Sequence, residues 1–107
     1  MGWAGFSRVI ENSKWTIATI GYSEKYAESH FSTIARHLLT DETFVLLQGE
    51  ATLVIGKELS RVRMTPCVCY TVKAGTWHHL LVTQDARIIV VENSGTSREN
   101  TETISIG

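Results

Sequence analysis

From Trp15 onward the chain is a succession of short apolar runs, each closed by turn-forming residues, and no window sustains the 3.6-residue period of a helix. Nine such runs are predicted as strands: Trp15 to Tyr22, His30 to Leu38, Thr43 to Leu47, Ala51 to Ile55, Leu59 to Met64, Val68 to Val72, Trp77 to Val82, Arg87 to Glu92 and Thr103 to Ile106. The single proline, Pro66, falls at a turn rather than inside a run. Gln48-Gly49-Glu50, Gly56-Lys57-Glu58, Thr65-Pro66, Lys73-Ala74-Gly75 and Gln84-Asp85-Ala86 read as tight hairpin connections. Many short strands at this spacing predict an antiparallel all-β sandwich or barrel. FVLLQ and RIIVVE are apolar on both faces, so the outside of these strands also calls for cover, such as a partner subunit.

At 107 residues the chain predicts one domain spanning 1–107. Apolar residues make up 43% and charged residues 20%, the profile of an ordinary globular protein. A net charge of -1 provides no global field for nucleic acid or an anionic membrane, and neither is expected as a partner. No apolar stretch reaches the roughly 20 residues of a membrane span, and MGWAGFSRVIENSKW lacks the basic and apolar blocks of a leader. A cytoplasmic location is the expectation.

Cys67 and Cys69 are the only thiols. On one strand they would face the same side, a poor geometry for a disulfide, and no second CxC or CxxC completes a zinc site. They are read as small strand hydrophobes. In Leu59 to Met64, Val62 and Met64 alternate with Arg61 and Arg63, which predicts one buried face and one basic stripe. The stripe suits either steering of an anionic ligand or a soluble edge that resists aggregation, the commoner use. The polar stretch from Asn93 to Thr103 reads as a surface connection to the last strand.

RHLLTDETFVLLQG places His37 and Glu42 ahead of an unbroken apolar run. Five residues apart, they would face opposite sides of one continuous strand. A turn at Thr40-Asp41 instead predicts adjacent antiparallel strands, with cross-strand side chains about 5 Å apart. His78, which follows the Gly75 turn in KAGTWHH, is the third candidate. Two histidines and a carboxylate from separate strands form the facial arrangement that suits iron(II), and equally manganese, nickel or zinc. The competing reading is a hydrogen-bonded, hydrated polar cluster inside a barrel.

On these residues the chain resembles the small single-domain cupins of the RmlC-like jelly-roll superfamily. His37, Glu42 and Gly49 stand at the second His, the Glu and the Gly of the first cupin motif, and Gly75 and His78 match the second. The likeness extends over roughly Trp15 to Glu92, and ARHLLTDETFVLLQGEATLVI, KAGTWHH and VVENSGTSREN resemble an uncharacterised group of small bacterial cupins. It implies a cupin-type double-stranded β-helix (jelly-roll barrel), a divalent metal on His37, Glu42 and His78, a small-molecule ligand and a homodimer. Four positions depart from the motifs: Ala35 replaces the first His, Lys73 the proline, Cys67 the glycine that opens the second motif and Val82 the asparagine that closes it. Three ligands still leave open positions for water or substrate.

Strand parity turns His79 and His30 away from such a pocket. Phe44 and Leu46, which share the parity of Glu42, read as pocket wall or core, as does Trp77. Arg36 and Asp41 are either partners of the triad or solvated turn residues. Two functions follow: a metal-dependent protein for a small oxygen-bearing molecule, or a metal-free, non-catalytic binder or sensor.

Overall fold

A computed structural model describes residues 3–107. Among the described residues the strands are β1 (Gly5–Glu11), β2 (Trp15–Gly21), β3 (Thr33–His37), β4 (Glu42–Gln48), β5 (Ala51–Ile55), β6 (Ser60–Arg63), β7 (Cys69–Val72), β8 (His78–Val82), β9 (Arg87–Asn93) and β10 (Thr101–Ser105). Their only helical pieces are 3-10 turns at Glu24–Tyr26, Glu28–His30 and Arg98–Asn100. No helix of the described residues is long and apolar enough to cross a membrane.

The strands form two antiparallel five-stranded sheets, ordered β1-β2-β9-β4-β7 and β10-β3-β8-β5-β6. This is the antiparallel all-β architecture that the run pattern predicts, in the jelly-roll form that the resemblance implies. Alternation supplies the core: in the first sheet Ala18, Val90 and Phe44 lie in one cross-strand row, with Ile20, Ile88 and Leu46 in the next, and all six are buried. Leu53, Leu80, Val82 and Met64 meet them from the second sheet in one cluster. Thr16, Glu42 and Glu92 continue the inward parity toward one end, where the filling changes from apolar to polar.

The connections differ from the predicted hairpins. Gly56-Lys57-Glu58 does close a hairpin, β5 to β6. The other four turns carry the chain from one sheet to the other, because β4, β7 and β9 belong to the first sheet and β5, β6 and β8 to the second. Turn-forming residues mark a reversal of direction, and both kinds of connection reverse it. Gly49 shows why one crossing needs glycine: its φ is +76°, and a Cβ there would lie 2.7 Å from the Ala86 Cα.

Other expectations change locally. Residues 30–32 do not extend β3, since His30 ends a 3-10 turn; Leu59 and Met64 lie outside β6, and the last strand starts at Thr101. β1 lies outside the predicted set: a register shift between Arg8 and Ile10 breaks its parity, and most of it is exposed. Cys67 is not a strand residue but an exposed turn residue at φ 64°, while Cys69 is on β7 and exposed. Val62 is 39% exposed rather than buried, because β6 is a sheet edge. Arg61 forks onto Glu28 at 2.6 and 2.8 Å and Arg63 pairs with Glu50, so the stripe is matched by carboxylates.

Candidate metal centre

His37 ends β3 and Glu42 begins β4, but these strands lie in different sheets. The two residues therefore meet across the end of the sandwich, not as neighbours in one hairpin. His37 Nε2 is 2.9 Å from Glu42 Oε1, and His78 Nε2 is 3.0 Å from the same oxygen. One ligand atom from each residue lies within 4.8 Å of the others. β8 pairs with β3 at Ala35 and His78, which puts His78 one step along the same inward face from His37.

Two backbone ties hold these segments in place. Gly75 N–H donates to the His37 carbonyl at 2.7 Å, and Ala74 N–H donates to Asp41 Oδ1 at 2.8 Å. Asp41 thus joins the 38–41 crossing to the 73–75 turn without touching the triad. Gly75, at φ +82°, supplies the left-handed turn. Arg36 points away, bonded to Glu102 at 2.6 Å and stacked 4.6 Å over Trp77.

The outer nitrogens fix the tautomers. A carbonyl can only accept, so His78 Nδ1 carries the hydrogen that it donates to the Thr76 carbonyl at 2.9 Å. Thr101 commits its one hydroxyl hydrogen to the Ser97 carbonyl at 2.6 Å. It must then accept from His37 Nδ1–H at 2.9 Å. Each neutral imidazole is left with its lone pair on Nε2, aimed at the Glu42 carboxylate. Three lone-pair donors facing one another require a cation between them or protons on the nitrogens.

Burial would raise the Glu42 carboxyl, yet the hydrogen bonds from His37 and His78 outweigh it and hold the group at about 2. The bond to Glu42 raises His37 in turn. Without an ion the triad is a proton-stabilised cluster built on an ionised glutamate. The donor set, tautomers and spacing fit a divalent cation in place of those protons.

Two residues that sequence reasoning missed belong to the same cavity. Glu92 is 5% exposed and lies directly across from Glu42 in the β4–β9 register. Burial first, then the charge of Glu42, pushes its carboxyl up to about 7. Its parity with Ile88 and Val90 was the available signal, since the third inward residue of RIIVVE must face the same interior. Tyr26 is buried too, its hydroxyl pushed up to about 12 by burial and then by Glu42 and Glu92. It sits in a 3-10 turn, where no periodic pattern aims a side chain.

The cavity measures about 390 Å³ and is lined in part by Ala35, His37, Glu42, Phe44, His78 and Glu92. Phe44 packs 6.3 Å from the His78 ring, while Leu46 is pure core at 1% exposure. Trp77 lies outside the cavity, between Arg36 and Lys57. Ala35, where a further ligand of the cupin pattern would stand, leaves open space beside His78. His79 borders the cavity but is committed elsewhere, stacked 5.1 Å from Phe31 and bonded to the Lys25 carbonyl. His30 is at the surface beside Ser29.

No family model matches this chain, and no curated protein matches it at a significant level. Solved structures do. A tyrosine-to-phenylalanine variant of Streptomyces PAC13 with uridine superposes with a TM-score of 0.72 at 10% identity, over 94% of this chain and 84% of that one. The same protein is described elsewhere as a nucleoside dehydratase with a β-barrel. KdgF from Halomonas sp. gives 0.66 at 14% identity, covering 88% and 81%. A cupin-2 domain protein from Shewanella frigidimarina gives 0.64 at 14%, covering 87% and 82%. At these identities the likeness shows the fold, which is that of a small cupin barrel.

Proposed function

We propose that this chain is a metal-dependent cupin-fold protein that binds, and acts on, a small oxygen-bearing molecule. The observation that carries the reading is the convergence of three potential donor atoms within 4.8 Å, with Nδ1 of both histidines engaged elsewhere and Nε2 left facing Glu42. His37, Glu42 and His78 would hold a divalent ion, with iron, manganese, nickel and zinc all suited to two imidazoles and a carboxylate. Such an ion supplies Lewis acidity toward an oxygen of the bound molecule. Thr101 and the Thr76 carbonyl orient the two rings, and Phe44 excludes water on one side. Glu92, beside Glu42, is the one further buried carboxyl in the cavity able to hold or take a proton.

The cavity volume supports a small ligand, within the usual range for such pockets. Elemental analysis of protein purified without an affinity tag tests the metal. Near-stoichiometric iron, nickel, manganese or zinc is expected, either as isolated or after addition. His78→Ala is expected to lose that metal while the far-ultraviolet circular dichroism stays unchanged, because the gap at the wet end of the barrel fills with water. Unfolding of the variant with undiminished metal content would assign His78 to the core instead.

One observation favours a second reading, a metal-free binder or sensor. The triad is already satisfied by its own hydrogen bonds, and no buried side-chain polar atom among the described residues lacks a partner. Absence of metal both as isolated and after addition selects this reading.

A homodimer belongs to the same proposal. The outer face of the first sheet carries Ile10, Ile17, Val45, Ile89 and Val91 in adjoining rows, half-buried or exposed. That surface supports pairing of two copies across it.

A further inference from the structure

The basic residues of the cavity come from three separate segments. Arg8 on β1 shares the inward parity of Ala18, Lys25 belongs to the first 3-10 turn and Arg98 to the last. All three line the cavity that holds the triad. They are exposed and stand at its mouth, whereas Glu42, Glu92 and His78 are buried at its base. Arg8 is 3.3 Å from Glu11 and Lys25 lies 5.4 Å over the Tyr26 ring. Neither Lys25 nor Arg98 has an ion-pair partner among the described residues. Thr33 on β3 and Thr103 on β10, both exposed, add hydroxyls to the lining.

We infer that the ligand is a small oxygen-rich organic anion, with a carboxylate or phosphate held at the mouth by Arg8, Lys25 and Arg98 and an oxygen directed to the triad. The inference rests on the metal reading only for its inner end. Elsewhere Arg36, Arg61, Arg63 and Lys73 each pair with a carboxylate, while Lys57 and Arg87 lie over the Trp77 and Trp3 rings outside the cavity. In a chain of net charge -1, the cavity gathers three cationic side chains. Arg8 is shared with Glu11, whereas Lys25 and Arg98 have no carboxylate partner among the described residues, and a divalent ion would add to them against the two lining carboxylates, Glu42 and Glu92. A low-dielectric cleft of one sign concentrates ions of the other. A neutral or cationic ligand would leave that excess unanswered, whereas arginine is suited to planar oxyanions.

The test is calorimetric titration of the protein, with and without added zinc, using succinate and glycerol 3-phosphate, each against its uncharged counterpart, succinamide or glycerol. Binding of at least one anion about tenfold or more tighter than its counterpart is expected. Arg8→Gln/Arg98→Gln is expected to lose about tenfold or more of that affinity with zinc content unchanged, and adding Lys25→Gln should deepen the loss. A preference for succinate assigns a carboxylate ligand, one for glycerol 3-phosphate a phosphate ligand. Equal binding of anion and neutral probe, no binding of any probe at millimolar concentration, or full affinity in the triple variant would overturn the inference. If zinc fails to bind while the anion preference and its loss in the variants persist, the metal reading falls and the cationic mouth stands.

Discussion

At the residue scale, the site is governed by where each proton sits. Thr101 keeps the His37 lone pair on Nε2, so Thr101→Val should let the ring choose its other tautomer without changing volume much. Metal affinity is expected to fall by about tenfold or more, read by competition with a chelator, while thermal stability of the metal-free protein changes little. Glu92 gives a pH signature. Its carboxyl sits at about 7 in the fold against an ordinary 4.5. Below 4.5 the folded and unfolded chains both hold the proton. Between 4.5 and 7 only the folded chain does, so metal-free stability falls as pH rises and stays reduced above 7. Glu92→Gln should remove this slope, stabilising the metal-free protein on the order of 2 kcal/mol at pH 8 and by almost nothing at pH 4. Denaturant unfolding at the two pH values reads it, and an equal effect at both would show that Glu92 acts through packing. His37, Glu42 and His78 were legible as a group because their residue types and motif spacing are unusual for a core. Thr101 was not, because its role depends on the register between β3 and β10, which no local pattern records.

At the element scale, turns decide the outcome. The conformation at Cys67 gives physical meaning to a departure in the sequence: the position where the cupin pattern has glycine adopts φ 64° here. A side chain in this left-handed region is strained, and Cys67→Gly is expected to stabilise by about 1 kcal/mol, read from the urea midpoint at unchanged slope. The reverse experiment is Gly49→Ala, where a Cβ meets backbone atoms of Ala86 at 2.7 and 2.8 Å as well as a positive φ. That variant should lose about 2 kcal/mol or more. The same turns explain how far the sequence could be read. Runs such as Ala51–Ile55 and Arg87–Asn93 announce themselves by composition, and their spacing implies a sandwich or barrel. Whether the chain reverses within a sheet or crosses to the other is set by twist and by which face finds cover, both properties of the assembled sheets. Hence the correct convergence of His37 and Glu42 was reached through the wrong connection. β1 escaped for a related reason, since its bulge destroys the period on which strand recognition depends.

At the scale of the whole molecule, the first sheet has two tasks on its two faces. Its inner rows change from core to site along the strands, from Leu46 and Ile88 to Glu42 and Glu92, so the rigidity of the apolar half fixes the polar end. Its outer rows carry Ile17, Val91, Val45 and Ile89, with Thr19 and Thr43 among them. A sheet facing only water would alternate with polar residues there. The homodimer proposed above would set a second copy against this face and so cover the apolar outer parity of FVLLQ and RIIVVE, on the side of the sheet opposite the cavity. Ile89→Lys places a charge at the middle of the surface, where burying it without a partner is costly. Light scattering after gel filtration should show a dimer for the wild type and a monomer for the variant, with metal content unaffected because residue 89 points away from Glu42. A wild type that is monomeric throughout the micromolar range would remove the dimer and leave the apolar outer face without an occupant. A variant that loses metal along with its partner would show instead that the two faces are coupled through the sheet.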